Sequence, residues 1–118
     1  MHSSSTNNII LKRISKFSYI EIENLFKKSY YIYKSLELDV KIAKKQSNIS
    51  RILLIIPKRV GNAPKRNLIR RRIKSIFYEN RFYLLDYDFI VFCKKDILNL
   101  KFQDLLNIFL EIKHKLSL

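Results

Sequence analysis

The sequence has very few of the residues that usually punctuate or cross-link a chain. Its 118 residues include one glycine, two prolines, one cysteine and no tryptophan. Because Cys93 has no second cysteine to pair with, an internal disulfide is excluded, and this fits a reducing compartment. Secreted proteins that depend on disulfides are therefore excluded, and we expect Cys93 to act as a small buried hydrophobic side chain.

Long apolar runs are also missing. The longest, Ile52 to Pro57, is the size of a strand and falls short of the roughly 18 residues that span a bilayer, so a soluble protein is expected. Met1 to Asn8 lack the basic and apolar regions of a signal peptide, and residues 1–12 are predicted to be a loose tail. Residues 13–118 are then predicted to form one compact domain, which buries roughly 65% of the surface of its unfolded chain.

Acidic residues are absent from the central third of the chain. Between Asp39 and Glu79 there is no aspartate or glutamate, whereas twelve lysines and arginines occur there. The whole chain has 24 Lys and Arg against 10 Asp and Glu, a formal net charge of +14. Self-repulsion on this scale disfavours a compact chain unless an anion is bound. The concentration of charge therefore favours a polyanionic partner, such as nucleic acid or anionic lipid.

Hydrophobic periodicity predicts three helices and three strands. The helices span Phe17 to about Tyr31, Pro64 to Tyr78, and Leu100 to Leu116, the last with Asn99 as its cap. The strands span Leu36 to Ile42, Arg51 to Lys58, and Tyr87 to Lys94. We expect the first two strands to form a hairpin. The order predicts an α+β fold, a two-layer sandwich with helices against one mixed sheet of three or four strands, and a right-handed crossover is the usual one between parallel strands.

The second predicted helix gathers its basic residues on one side. At 100° per residue, one arc holds Arg66, Asn67, Arg70, Arg71 and Lys74, and Leu68 lies away from it, partly exposed. The adjoining arc holds an apolar stripe of Ile69, Ile73, Ile76 and Phe77. Cations in the first turn oppose the helix dipole at a cost of about 0.3 to 1 kcal/mol each, and no acidic neighbour offsets this. A bound phosphate reverses the sign, so the segment predicts an anion-binding surface.

Single residues around this helix allow more than one interpretation. Gly61, the only glycine, is expected to permit either a positive φ or the close approach of a nucleic-acid backbone. A basic helix face can also be an ordinary solvated surface.

The first predicted helix also allows two interpretations. Its apolar and aromatic residues form either core and rim or a wall on which unpaired bases stack: Tyr19, Ile22, Phe26, Tyr30 and Tyr31.

Groups that would carry catalysis or bind a metal are not apparent. Neither His2 nor His114 has a second ligand at metal-binding spacing. The sequence contains no recognisable Ser-His-Asp or Cys-His grouping. We therefore predict no catalytic residue and no metal site on the protein itself.

The segment Arg51 to Phe77 resembles the bacterial ribonuclease P protein family. It is similar to the family's strand followed by a K-(K/R)-x-G-(N/x)-A-(V/x)-x-R-N-(R/x)-(I/V)-(K/R)-R-x-(I/L)-(K/R) signature. The matching positions are Lys58, Arg59, Gly61, Asn62, Ala63, Arg66, Asn67, Ile69, Arg70, Arg71 and Lys74. Upstream, Ile22, Leu25 and Phe26 resemble the family's F-x-x-V-F pattern, and downstream Asp88 to Lys94 resembles D-x-x-x-x-A-R. Leu68 departs from the signature, because it replaces the last residue of the family's Arg-Asn-Arg.

The resemblance implies a fold, partners and an activity. The implied fold is an α/β sandwich with a left-handed βαβ crossover, as in a ribosomal protein domain. Proteins of this family bind a large catalytic RNA through the basic helix and hold the 5′ leader of precursor tRNA in a cleft between the first helix and the sheet. The RNA performs hydrolysis with Mg²⁺, which it binds itself, so the protein alone is expected to be inactive. The implied setting is cytoplasmic, with no protein partner required and no membrane.

The resemblance and the charges of the basic segment together predict which residues bind each RNA. Those expected to bind the catalytic RNA are Lys58, Arg59, Asn62, Lys65, Arg66, Asn67, Arg70, Arg71 and Lys74. Those expected to line the leader cleft are Ile22, Phe26 and Val40. An alternative function is that of a ribosomal or other structural RNA-binding protein that uses the same basic face.

Overall fold

The computed structural model describes residues 4–117, with side chains described from residue 9 onward, and shows an α+β sandwich. In chain order the elements are α1 (Ser4–Arg13), α2 (Tyr19–Lys28), β1 (Tyr30–Lys34), β2 (Leu38–Lys44), β3 (Ile52–Ile55), α3 (Ala63–Glu79), β4 (Tyr87–Cys93) and α4 (Phe102–Leu116). Short 3-10 turns occupy Lys58–Val60, Phe82–Leu84 and Lys95–Asn99. The predicted fold class is confirmed, and the mixed sheet has four strands.

The strands form one sheet in the order β1-β2-β4-β3. β4 pairs antiparallel with β2 and parallel with β3, so it separates the two strands that the sequence predicts to be a hairpin. That hairpin prediction is wrong, because β4 has a continuous buried run from Asp88 to Val91 and takes a central position, covered on both faces. The connection β3–α3–β4 joins parallel neighbours, and its left-handed crossover stays a prediction of the resemblance.

β1 is an element that helical periodicity does not predict. The periodicity predicts a first helix that reaches Tyr31, but α2 ends at Lys28 and Ser29 already has an extended backbone. The next residues, Tyr30–Lys34, read YYIYK and are rich in aromatic and β-branched side chains that favour strands. They pair antiparallel with β2 and form one edge of the sheet.

Helices cover both faces of the sheet. On one face, α3 and α4 enclose the larger core, to which the strands contribute residues such as Val40 and Phe89. On the other face, α2 packs over a smaller cluster formed by Leu25, Ala43 and Ile90. As a result, α2 and α3 lie on opposite sides of the sheet and offer two separate surfaces.

The N-terminal segment is more ordered than the sequence suggests. The sequence predicts a loose tail over residues 1–12, but those that the structure describes from Ser4 onward belong to α1. Ile10 and Leu11 pack against the larger core, and Ile14 is fully buried. The prediction of a tail is wrong for this helix, because its apolar side chains gain burial that a local view of the sequence does not reveal.

The two long helices are confirmed with small shifts of their ends. α3 extends one residue beyond the prediction at each end. α4 begins after Lys101, whose backbone N–H donates to Asp104 Oδ2 at 2.9 Å, whereas the predicted cap, Asn99, lies in the preceding 3-10 turn. Within residues 4–117, no helix combines the length and apolarity that crossing a membrane requires.

Candidate nucleic-acid interface

A tight turn leads the chain from β3 into α3. After the 3-10 turn, Gly61 has extended backbone with φ 167° and ψ −179°, so it does not use the left-handed region. A Cβ at this position would lie 3.3 Å from Leu98 Cδ1 and 3.3 Å from Lys65 Cβ. The glycine is therefore explained by close packing against its own protein neighbours, not by a positive φ.

α3 begins with an asparagine cap. Asn62 Oδ1 accepts a hydrogen bond from the backbone N–H of Lys65 at 3.0 Å, and Pro64 lies in the first turn, where its missing N–H costs no helical bond. The first turn contains no acidic residue. Asn62 thus has a structural role, and the positive end of the helix dipole is left facing Lys65 and Arg66.

The nine residues predicted to bind RNA lie along this turn and the solvent side of α3, and we call them the α3 basic surface. Seven are exposed: Lys58, Arg59, Asn62, Lys65, Asn67, Arg70 and Arg71. Arg66 and Lys74 are half-buried. The apolar stripe that includes Ile69 and Ile73 is buried, and Leu68 is 36% exposed, so the predicted orientation of the helix is confirmed.

The α3 basic surface is not neutralised from within the protein. None of its side chains forms a salt bridge with an acidic group in the described part of the chain. Arg70 Nη1 donates to Asn67 Oδ1 at 2.7 Å, and the buried Nε of Arg66 has no hydrogen-bond partner among the described residues. Cations at a helix N-terminus are unfavourable unless an anion binds there. The arrangement can therefore bind phosphate groups.

One arginine from the basic segment is not part of this surface. Arg51 is buried, and its guanidinium pairs with both carboxylate oxygens of Glu21, at 3.0 and 2.9 Å. It also donates to the carbonyl of Lys16 at 2.7 Å and lies 4.4 Å from the ring centre of Phe17. The bond from Arg51 and the bond from the backbone N–H of Ser18 lower the pKa of Glu21 to about 2. The sequence gives no signal of this pair.

Further hydrogen bonds around this pair attach α2 to the sheet. Gln46 Nε2 donates to the carbonyl of Glu21 at 2.8 Å. The buried Asp88 of β4 accepts from the backbone N–H groups of Arg51 and Gln46, at 2.9 and 3.2 Å. Burial raises the pKa of Asp88 even though these bonds oppose the shift. The loop between β2 and β3 therefore fixes where α2 sits.

Two of the three predicted cleft residues lie on an accessible side of α2. Ile22 and Phe26 are one helical turn apart and line a groove together with Tyr19. Phe26 is 41% exposed and packs edge-on against Phe92 of β4, with the ring centres 6.3 Å apart. An aromatic ring is thus available to a ligand beside the sheet.

The prediction that Val40 lines this cleft is wrong. Val40 is fully buried on the opposite face, under α3 and α4. Because side chains alternate along a strand, its neighbours Asp39 and Lys41 face the side of α2 instead. Lys41 Nζ lies 4.8 Å from the ring centre of Tyr31 on β1. The sequence does not predict these two residues to be cleft residues.

The sequence predicts no catalytic machinery on the protein. Within residues 4–117, no three His, Cys, Asp or Glu residues are grouped so that they could hold a metal ion. Cys93 is buried, and burial raises the pKa of its thiol to about 12, so it is a hydrophobic side chain as predicted.

Comparison with known sequences identifies related proteins. The model of a family described as Ribonuclease P matches residues 8–117. The Ribonuclease P protein component of Mycoplasma mobile is 43% identical over 58 residues, which cover 49% of this chain and 52% of that protein. The one of Streptococcus agalactiae is 34% identical over 61 residues, with 52% and 56% covered. The chain thus spans about half the length of the curated relatives it matches.

Solved structures share the fold at low sequence identity. The Staphylococcus aureus RNase P protein has a TM-score of 0.73 at 19% identity, covering 86% of this chain and 93% of that chain. The RNase P protein from Thermotoga maritima has a TM-score of 0.70 at 19% identity, covering 85% and 94%. These structures support the fold. Because the family match extends over most of the sequence, this chain belongs to the Ribonuclease P family.

Proposed function

We propose that this chain is the protein subunit of ribonuclease P and assists Mg²⁺-dependent removal of the 5′ leader from precursor tRNA. In this proposal the endoribonuclease is the complex of the chain with one catalytic RNA, and the chain alone is inactive. Membership of the family and the names of the relatives support an assignment to this enzyme. Contact with each RNA is argued from the two surfaces described above.

The observation that carries the proposal is the unpaired charge of the α3 basic surface. Its exposed cations have no acidic partner among the described residues. Arg70 and Arg71 present planar guanidinium forks, which match phosphate oxygens. Asn67 adds a neutral side chain that can bind a ribose hydroxyl or a base edge. We assign this surface to the catalytic RNA.

We assign the groove beside α2 to the 5′ leader. Unpaired bases bind where aromatic rings lie beside cations. Phe26 supplies such a ring, since it is partly exposed and supported by Phe92. Ile22 lines the same groove but offers no aromatic face, so Phe26 takes the stacking role.

Mg²⁺ enters this proposal through the RNA subunit. Phosphate oxygens and water are the hard ligands that Mg²⁺ prefers. The protein contributes lysines and arginines that reduce the repulsion between the two RNA molecules. We place the reaction in the cytoplasm, and it requires neither a protein partner nor a membrane.

Reconstitution with the organism's own catalytic RNA tests this function. We expect Arg66→Ala combined with Arg71→Ala to weaken assembly about 10- to 100-fold, because two of the guanidinium groups that would bind phosphate are removed. The effect should be largest at low Mg²⁺, where the RNA relies most on protein cations. Binding of labelled catalytic RNA and cleavage of precursor tRNA are the measurements. Lys101→Ala combined with Lys115→Ala removes the same charge from the N-cap and the last turn of α4 and is the matched control.

Three outcomes would contradict the proposal. The first is unchanged assembly and cleavage in the α3 double variant. The second is cleavage by the purified protein after all RNA has been removed, which would indicate an enzyme that acts alone. The third is recovery of ribosomal RNA as the main bound species without any cleavage activity, which would support a structural RNA-binding protein.

A further inference from the structure

We propose that Tyr31, Lys34 and Lys41 form a second binding site for the leader, at the outer edge of the sheet, which we call the β1 edge site. Its ligand is one unpaired nucleotide, with the base stacked on Tyr31 and the phosphate held by the lysines. The proposal rests on the proposed function, because the nucleotide belongs to the same leader that passes Phe26.

The three side chains are held together by strand pairing. Tyr31 of β1 lies opposite Lys41 of β2, and cross-strand partners share a face. Lys34 Nζ lies 4.5 Å from the ring centre of Tyr31, and Lys41 Nζ lies 4.8 Å from it. Tyr31 is 48% exposed, and β1 is an edge strand. The ring is therefore accessible and already surrounded by positive charge.

The strand order places this site at the end of a path across the sheet. Arg70 and Lys74 of α3 line a cavity with β3, the strand at the opposite edge. Phe92 of β4 follows with Phe26 packed on it, and the path then reaches β2 and β1. Three strand spacings separate β3 from β1, which is about 14 Å. A leader that passes Phe26 and continues toward this edge thus crosses β2 and reaches Tyr31.

Charge at the β1 edge site is also unbalanced. The nearest acid by register is Asp39, which lies opposite Lys34. Asp39 Oδ1 already accepts from Lys94 Nζ at 2.9 Å and from the backbone N–H of Ser35 at 3.3 Å. Neither Lys34 nor Lys41 forms a salt bridge with a described residue.

A nucleotide offers these groups a better arrangement. Two ammonium groups beside one ring repel each other, and a phosphate placed between them removes that repulsion. A base that stacks on the ring displaces one lysine toward the nucleotide's own phosphate, so a cation–π contact is exchanged for an ionic one. Stacking of this kind tolerates any base. The site should therefore respond to leader length more than to leader sequence.

The test uses the reconstituted holoenzyme and precursor tRNAs whose leaders are lengthened one nucleotide at a time. We expect Tyr31→Leu to weaken binding about 5- to 150-fold for leaders long enough to pass β1. Leaders that end beside Phe26 should bind the variant and the unmodified holoenzyme equally. Lys34→Gln combined with Lys41→Gln should make the log-log salt dependence shallower by about 0.7 for each leader phosphate that the lysines no longer neutralise, again only for long leaders.

Tyr30 provides a matched control on the same strand. It is 54% exposed, but it lies opposite Ile42, which is buried in the core on the other face. Tyr30→Leu should leave leader-length dependence unchanged, and Tyr31→Phe, which keeps the ring, should retain binding. Thermal unfolding of each variant checks the fold. If Tyr31→Leu unfolds, the double lysine variant decides the question through its salt dependence.

The results separate this site from the function on which it rests. Equal losses of affinity for short and long leaders, with cleavage intact, overturn the β1 edge site alone. The same conclusion follows if Tyr30→Leu and Tyr31→Leu behave alike. A complete lack of cleavage by the unmodified holoenzyme instead overturns the proposed function.

Discussion

Arg51 shows how one residue of a basic segment can serve the fold instead of a ligand. Its side chain is 7% exposed and pairs with Glu21 through two bonds. Removal of either partner leaves a charge without its counter-ion in a site that excludes most water. A count of charges cannot distinguish a buried arginine from an exposed one. On the sequence alone, Arg51 is therefore counted among the cations of the basic segment. The pair instead links Arg51 to α2, the helix that carries Phe26.

Replacing Glu21 should change stability in a pH-dependent way. The folded-state pKa of Glu21 is lowered from 4.5 to about 2, so its ionised carboxylate stabilises the fold above pH 4.5, and this stabilisation is lost as the pH falls toward about 2. We expect Glu21→Gln to have a lower free energy of unfolding than the unmodified protein near neutral pH. Urea unfolding at a series of pH values should show the two curves converging in acid.

Glu23 supplies the control for this measurement, since it lies on α2 and makes no salt bridge with a described residue. Glu23→Gln should show no such convergence. Burial, and to a smaller extent the charge of Glu21, raises the pKa of Asp88, so the contribution of Asp88 is the same in Glu23→Gln and in the unmodified protein but is altered in Glu21→Gln. A stability gap between Glu21→Gln and the unmodified protein that stays constant from pH 4.5 to about 2 would contradict the assignment.

At the scale of elements, α3 could be predicted and the strands only in part. Ile69 and Ile73 are one turn apart and buried, whereas Arg70 and Arg71 beside them are exposed. A helix defines its own buried side, because 3.6-residue periodicity is local. Most of the α3 basic surface therefore follows from the sequence, down to single residues.

The strand predictions fail where they depend on a distant partner. Alternation shows that Val40 and Lys41 point to opposite faces, but only the packing of α2 decides which face borders the cleft. Tyr30 and Tyr31 suit a helix end as well as a strand until β2 is placed beside them. The hairpin of β2 with β3 is replaced by pairing with β4, which comes later in the chain.

Leu68 offers a gain-of-function test of α3. It is 36% exposed and stands where the resemblance leads us to expect a basic residue. We expect Leu68→Arg to tighten binding of the catalytic RNA and to steepen the log-log salt dependence by about 0.7 to 0.9, the value of one added phosphate contact. Leu110→Arg is the control, since Leu110 is a leucine of 40% exposure on α4. An equal gain from both variants would show that net charge, not position, is responsible.

At the scale of the whole molecule, the charged residues that form salt bridges within the fold are separate from those of the α3 basic surface. The described salt bridges use Glu21, Asp39, Asp86 and Glu111, and none involves the α3 basic surface. The chain has 24 basic and 10 acidic residues, so many of its positive charges have no acidic residue to pair with. Long-range attraction to RNA should dominate affinity and weaken with salt.

The salt dependence of assembly measures how many phosphates the protein contacts. With about five phosphates neutralised by the α3 basic surface, the log-log slope of the association constant should lie between about −3.5 and −4.5. Titration of labelled catalytic RNA over a series of KCl concentrations gives this slope. A slope near zero would mean that the binding is not electrostatic and would remove the basis for assigning this surface.

The position of β4 in the chain affects the protein while it is being made. β4 joins β2 to β3, yet it follows α3 in sequence. A nascent chain that has emerged only as far as Glu79 contains every cation of the α3 basic surface but no completed sheet beneath it. The nearest polyanion at that moment is the RNA of the ribosome that is synthesising it. Under the proposed function, selectivity among RNA molecules should require the closed sheet, which the chain can form only once residues 87–93 have left the exit tunnel.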